Sequence, residues 1–219
     1  MRVPHAVTRW AGVVAWAALL AVSECALGAE MTPPDVLVKN VTLQVVDIIA
    51  KDRDIQAGNT QKVIDLVEEK VLPHFNFTDM TALAAGQNWP KATPEQKKRL
   101  THEFRTLLVR TYASALAAYR DQKFDFLPLH AGPTDTDVTV RVKVLQSGAQ
   151  PVTIDYAMEK MPGGWQVYDV VVGGVSLVSN YRTEFTNEVR EHGVDGLIQS
   201  LHAKNEKLKE KAAARAESK

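Results

Sequence analysis

Between Gly164 and Leu177 the chain reads Gly-Trp-Gln-Val-Tyr-Asp-Val-Val-Val-Gly-Gly-Val-Ser-Leu, and no other block constrains the fold as tightly. Trp165, Val167, Tyr168, Val170, Val171 and Val172 are β-branched or aromatic, side chains that fit a pleated, half-buried surface. Gly173 and Gly174 follow at once and permit backbone angles closed to other residues. A helical pattern begins just after them, so a strand must pass into a helix with almost no loop.

The rest of this sheet is legible upstream. Lys123–Leu129 reads as a strand, and Asp137–Leu145 sets Val138, Val140, Val142 and Val144 on one face against Thr139, Arg141 and Lys143 on the other. Ser147-Gly148 marks a turn, after which Ile154, Tyr156 and Met158 alternate with Thr153 and Asp155. A second turn, Met161-Pro-Gly-Gly164, leads into the opening block. Four consecutive strands joined by tight turns predict an antiparallel meander.

Helices come before and after. Leu37, Val41, Val45, Ile48 and Ile49 form a stripe from Pro33 to about Ala50, and Lys51–Asn59 reads as a turn. Helices are predicted over Thr60–Leu72, stopped by Pro73, and over Asn76–Ala85, stopped by Gly86. Thr93, Pro94 and Gln96 compose a capping box that opens a helix running to about Tyr119. At about 1.5 Å per residue its 26 residues span roughly 39 Å, enough to wall a small domain. Helices resume over about 176–202, interrupted at Gly193, and 203–219 reads as an exposed, charged, fraying tail. The fold class is therefore α+β: one domain over 29–202, with its helical part at about 33–119 and its sheet at about 123–172. A curved antiparallel four-stranded sheet is covered on one face by helices.

At the amino terminus, Arg2 and Arg9 flank an apolar run from Trp10 to Val22, and small residues follow at Ala26 to Ala29. This is the pattern of a cleaved signal peptide over 1–28, too short for a membrane span of roughly 20 apolar residues. Cleavage removes Cys25, so the mature chain has no disulfide and must rely on its core. Loss of Arg2, Arg9 and Glu24 leaves 24 basic and 25 acidic residues, a formal charge of −1. That balance argues against nucleic acid as a partner and against a polybasic membrane binder.

Several blocks together resemble the MlaC (toluene-tolerance) family of periplasmic phospholipid-binding proteins. They are Val71-Leu72-Pro73, Ala84-Ala85-Gly86 before Trp89, Ala92-Thr-Pro-Glu-Gln96, Phe104-Arg105, Tyr112-Ala113, Trp165-x-x-Tyr168-Asp169, Gly174-Val-Ser176 and Gly193-Val-Asp-Gly196-Leu197. The resemblance spans roughly Asp35 to Lys209. It implies a nuclear-transport-factor-like cone and a carrier of glycerophospholipids between the two membranes of a Gram-negative envelope, maintaining outer-membrane lipid asymmetry. The partners it implies are an outer-membrane lipoprotein of the MlaA type bound to a porin, and an inner-membrane ABC transporter with a ring of MCE domains. No catalysis and no cofactor are implied.

An apolar cleft suits such a carrier. Exposing a methylene costs about 0.8 kcal/mol, so two chains of about 15 methylenes would cost on the order of 24 kcal/mol in water. The cleft is expected between the apolar sheet face and the long helix, lined by Phe75, Met80, Leu83, Leu108, Tyr112, Val140, Tyr156, Val170 and Val175.

Two other readings stay open at this level. The same cone hosts isomerases and dehydratases, for which Asp169 in an apolar pocket is the catalytic candidate; alternatively Asp169 hydrogen-bonds a helix terminus or nearby backbone. Asp155 is expected to face solvent. A third reading is a docking module with a closed pocket. His74, His102, His130, His192 and His202 are scattered, and the chain has neither a His-Glu-x-x-His metal motif nor a Gly-x-Ser-x-Gly elbow.

Overall fold

A computed structural model of the chain describes residues 31–117 and 122–217. The expected signal peptide, and the expected end of the long helix at Tyr119, lie outside the described residues. The order of elements is α1 (Pro34–Lys51), α2 (Arg53–Gln56), α3 (Thr60–Lys70), α4 (Phe77–Ala85), α5 (Pro94–Ala117), β1 (Lys123–Phe126), β2 (Asp137–Leu145), β3 (Val152–Met161), β4 (Gly164–Val172), β5 (Val175–Ser176) and α6 (Leu177–Glu217). Short 3-10 turns at Leu72–His74 and Gly86–Lys91 flank α4.

The capping box at Thr93 forms as its spacing dictates. The Thr93 amide donates to Gln96 Oε1 at 3.0 Å, and the Gln96 amide donates to Thr93 Oγ1 at 3.2 Å. Helix α2 falls where a turn was expected. The Asp52 carboxylate accepts from the amides of Asp54 and Ile55, and Ile55 is buried beneath it. Four residues are too few to show a helical period in sequence.

The sheet is antiparallel throughout in the order β1-β2-β3-β4-β5, one strand more than the four expected. The fifth has only two residues. Gly173 and Gly174, with φ of 58° and 85°, make a two-residue hairpin that pairs Val172 with Val175 and Val171 with Ser176 before α6 begins. At the other edge β1 stops at Phe126, short of the expected Leu129.

Three apolar rows cross the inner face: Val142–Ile154–Val172, Val140–Tyr156–Val170 and Val138–Met158–Val167. The register between β3 and β4 shifts at Ala157/Met158, where Ala157 faces Asp169 and Met158 faces Val167. This bulge leaves Tyr168 outside the pairing, so inward positions change from even (Val172, Val170) to odd (Val167, Trp165). Tyr168 donates instead to Asp137 Oδ2 at 2.8 Å.

Buried side chains fall into three clusters. The first joins α4, α5 and α6, with the Phe104 ring edge-on to both Tyr181 and Phe185 at centroid distances of 5.1 Å. The second is the inner sheet face with Val38 of α1. The third joins α1, α2, α3 and the far side of α5 through Val45, Ile49, Ile55, Val63, Val67, Val109 and Ala113.

Helix α6 kinks at Gly193, whose φ is 70°, and does not fray at Lys204 as composition suggested. Asn205 is buried, with Nδ2 donating to the Glu103 carbonyl at 2.9 Å and to Glu103 Oε2 at 2.8 Å, and Leu208 packs on the first cluster. Two contacts far apart in sequence thus hold a segment whose own composition is that of a tail.

Phe104→Ala is expected to lower unfolding free energy by about 3–5 kcal/mol, and Thr93→Ala by about 1 kcal/mol. Urea denaturation of the two variants checks the ranking.

Candidate functional site

The three clusters meet without closing. Between α1, α3, α4, α5 and the inner sheet face they leave a cavity of about 360 Å³, inside the roughly 300–1,000 Å³ range of ligand pockets. Helix α1 supplies Leu37, Val38, Val41, Val45 and Ile49, and α3 with the turn after it supplies Val67, Val71, Leu72 and His74. Phe77 and Met80 come from α4, and Leu108, Val109, Tyr112, Ala113 and Leu116 from α5. The sheet contributes Phe124, Ile154, Tyr156, Met158, Val167, Val170 and Val172.

No Asp, Glu, Lys or Arg among the described residues lines this space. Its polar side chains are Thr42, His74, Tyr112 and Tyr156. Burial holds the His74 imidazole below its usual range, so it is neutral at neutral pH. Burial raises the Tyr112 phenol and pushes that of Tyr156 up to about 12. Apolar side chains dominate these walls, so the space suits an apolar occupant.

Of the nine residues expected to line the cleft, the structure brings together Phe75, Met80, Leu108, Tyr112, Tyr156 and Val170. Three lie elsewhere. Leu83 is on the outward face of α4 and is exposed, because Met80, Thr81, Ala84 and Ala85 take the inward face. Val140 points inward as its alternation requires but is buried among the residues that pack with Val38. Val175 sits at the tip of the β4–β5 hairpin, 58% exposed. The expected wall also lacked α1. Its apolar stripe was visible in sequence, but nothing local says that the stripe faces a void.

Asp169 does not line the cavity. Its Oδ1 accepts from the amides of Val170 (2.8 Å) and Val178 (3.2 Å), and its Oδ2 from the Ser176 hydroxyl (2.6 Å). The Ser176 oxygen in turn accepts from the Ser179 amide at 2.9 Å. These bonds join β4, β5 and the first turn of α6, so Asp169 is a helix-terminus acceptor. Asp155 lies on the outer sheet face, 3.8 Å from Arg141. Among the described residues, no group of three His, Cys, Asp or Glu side chains is placed to hold a metal ion.

A third polar group positions α4 on the cavity. Asn76 caps that helix through the Asp79 amide, and its Nδ2 donates to Asp79 Oδ2 at 2.8 Å and Glu159 Oε1 at 2.9 Å. Burial, then the hydrogen bond and charge of Asp79 and the charge of Asp137, hold Glu159 above its usual range, against the Asn76 bond that lowers it.

The family model described as MlaC protein matches residues 39–203. The chain belongs to the MlaC family. It is 26% identical over 157 residues to the intermembrane phospholipid transport system binding protein MlaC of Haemophilus influenzae, spanning 68% of this chain and 73% of that protein. It is 25% identical over 168 residues to the toluene tolerance protein ttg2D of Pseudomonas putida, spanning 76% and 77% of the two chains. Among solved structures it superposes on the phospholipid-binding protein of Ralstonia solanacearum, which carries a bound phospholipid, with a TM-score of 0.74 and 40% identity. The match covers 80% of this chain and 97% of that one. The MlaC-family fold expected from sequence is thus the one observed.

Asp169→Ala strands the Val178 amide and the Ser176 hydroxyl, and is expected to cost about 1–3 kcal/mol in urea unfolding. Glu159 has the opposite character. Its raised pKa means that the unfolded chain ionises first, so its contribution is full below about pH 4.5 and is lost as pH rises through the folded value. Glu159→Gln is therefore expected to melt higher than the wild type at neutral pH, with the gap shrinking below about pH 4.5, in thermal scans across pH.

Proposed function

We propose that this protein is a periplasmic carrier of glycerophospholipids, exported by its amino-terminal segment with cleavage near Gly28. It shuttles lipid between the outer and inner membranes and so maintains outer-membrane lipid asymmetry. The observation that carries the reading is the cavity itself: about 360 Å³, walled by apolar side chains from helices and the inner sheet face, with no Asp, Glu, Lys or Arg among the described residues that line it. Acyl chains gain from such walls what they gain in a bilayer, whereas a phosphate favours cationic partners, and the described walls carry no Lys or Arg. The head group accordingly stays at the mouth, in water. The phospholipid held by the 40%-identical Ralstonia protein supports the same assignment.

The membrane partners follow from the same reading. They are an MlaA-type lipoprotein with its porin on the outer side, and an ABC transporter with an MCE-domain ring on the inner side. The isomerase or dehydratase reading loses its candidate, since the Asp169 oxygens are taken up by β4, β5 and α6 away from the cavity. A docking module with a closed pocket is disfavoured by the size of the void.

Native mass spectrometry of the mature protein, purified without detergent, tests the proposal. A near-stoichiometric diacyl phospholipid is expected. A lipid-free protein that also takes nothing from liposomes would sink it. Val46→Trp, which puts an indole into the cavity from the half-buried wall of α1, is expected to reduce bound lipid several-fold while the far-ultraviolet circular dichroism spectrum is retained.

A further inference from the structure

Tyr156 stands in the middle strand of the sheet, in the middle row of the inner face, between Val140 and Val170. Its neighbours along the strand on that face are Ile154 and Met158. A phenol at this point carries the one polar atom of the central rows into the space between sheet and helices. Among the described residues its hydroxyl makes no hydrogen bond with protein. Among the described residues, two side-chain oxygens are sealed from solvent without a partner, Asp155 Oδ1 and Asn205 Oδ1, and the Tyr156 hydroxyl is not one of them. It therefore opens on free space, and the space that Tyr156 borders is the cavity.

A hydroxyl in such a setting is costly unless an occupant completes it. Phenylalanine would fill the same volume without a stranded donor, and buried polar groups are ordinarily paired. Water has few other partners there, since most of the lining side chains are apolar. The phenol remains protonated through the physiological range because burial pushes it up to about 12. It is thus a donor and needs an acceptor. In a diacyl glycerophospholipid the acceptors that travel with the chains into an apolar space are the two acyl-ester carbonyls. The phosphate and head group stay in water at the mouth.

Resting on the carrier reading, we infer that the Tyr156 hydroxyl donates a hydrogen bond to an acyl-ester carbonyl of the bound lipid, so that the cavity selects ester-linked over ether-linked glycerophospholipids. A dialkyl ether lipid has chains of the same length and the same head group but no carbonyl to accept the bond. It leaves the phenol stranded. Selectivity set in this way reads the linkage and ignores the head group, which fits a cavity with no charged side chain among the described residues that line it.

The test is a competition. Lipid-free protein is incubated with liposomes made of equal amounts of diester and diether phosphatidylcholine with matched chains, then separated, and the bound species are read by native mass spectrometry. The wild type is expected to favour the diester about 3- to 10-fold, the range of one net hydrogen bond, and Tyr156→Phe to bring the ratio to about one by losing diester. Equal loading of the wild type, or a preference that survives in Tyr156→Phe, overturns the inference and leaves the carrier reading standing. If neither lipid enters the wild type, both fall.

Discussion

The position of α5 is the constraint on which the rest of the structure depends. One side of the helix is fixed by Phe104, packed edge-on to Tyr181 and Phe185 and buried completely. The opposite side is fixed by Val109 and Ala113, buried against α1 and α3. Between these two sides, Leu108, Tyr112 and Leu116 look onto the cavity. A helix anchored on both flanks cannot fall inward to fill the space beneath it. The void is kept open by Phe104, whose contacts lie outside it, and by Val109 and Ala113 at its edge.

The sheet meets this helix with a surface that is smooth in chemistry but not in register. The bulge at Tyr168–Asp169 does two things at once. It brings Val167 and Trp165 to the inner face, extending the apolar wall. It also frees Asp169 to hold β5 and the start of α6, and Tyr168 to reach Asp137 outside. A strand of strict alternation would have turned Tyr168 inward where Val167 now stands. The same local defect thus shapes the wall and ties down the helix that follows.

Polar groups near the cavity divide by whether the protein completes them. Asn76 and Glu159 satisfy each other across the seam between α4 and β3, which holds Phe77 and Met80 on the cavity wall. Asn205 fastens α6 to Glu103 on the far side of α5. Among the described residues the phenol of Tyr156 has no such partner. Polar groups that position the walls are engaged with protein, and the one at the centre of the sheet face is left for an occupant. That division is what a rigid container with an exchangeable content requires.

The sequence alone determined the local elements and the family. Alternation at Val138, Val140 and Val142, the capping box at Thr93 and Gln96, and the glycine pair after Val172 are decided by neighbours within a few residues, and each is found as written. The blocks from Val71 to Leu197 carried the resemblance to the MlaC family, which the family match over residues 39–203 supports. Tertiary structure decided what those elements face. Periodicity tells that Val140 and Tyr156 lie on the same inner face, yet Val38 covers one while the other borders a void. It marks the stripe on α1 as buried but cannot name the empty space beside it, and it cannot see that Leu208 and Asn205 hold down a lysine-rich end. A residue's face is set by backbone geometry over one or two turns, whereas its contacts are set by packing among segments a hundred residues apart.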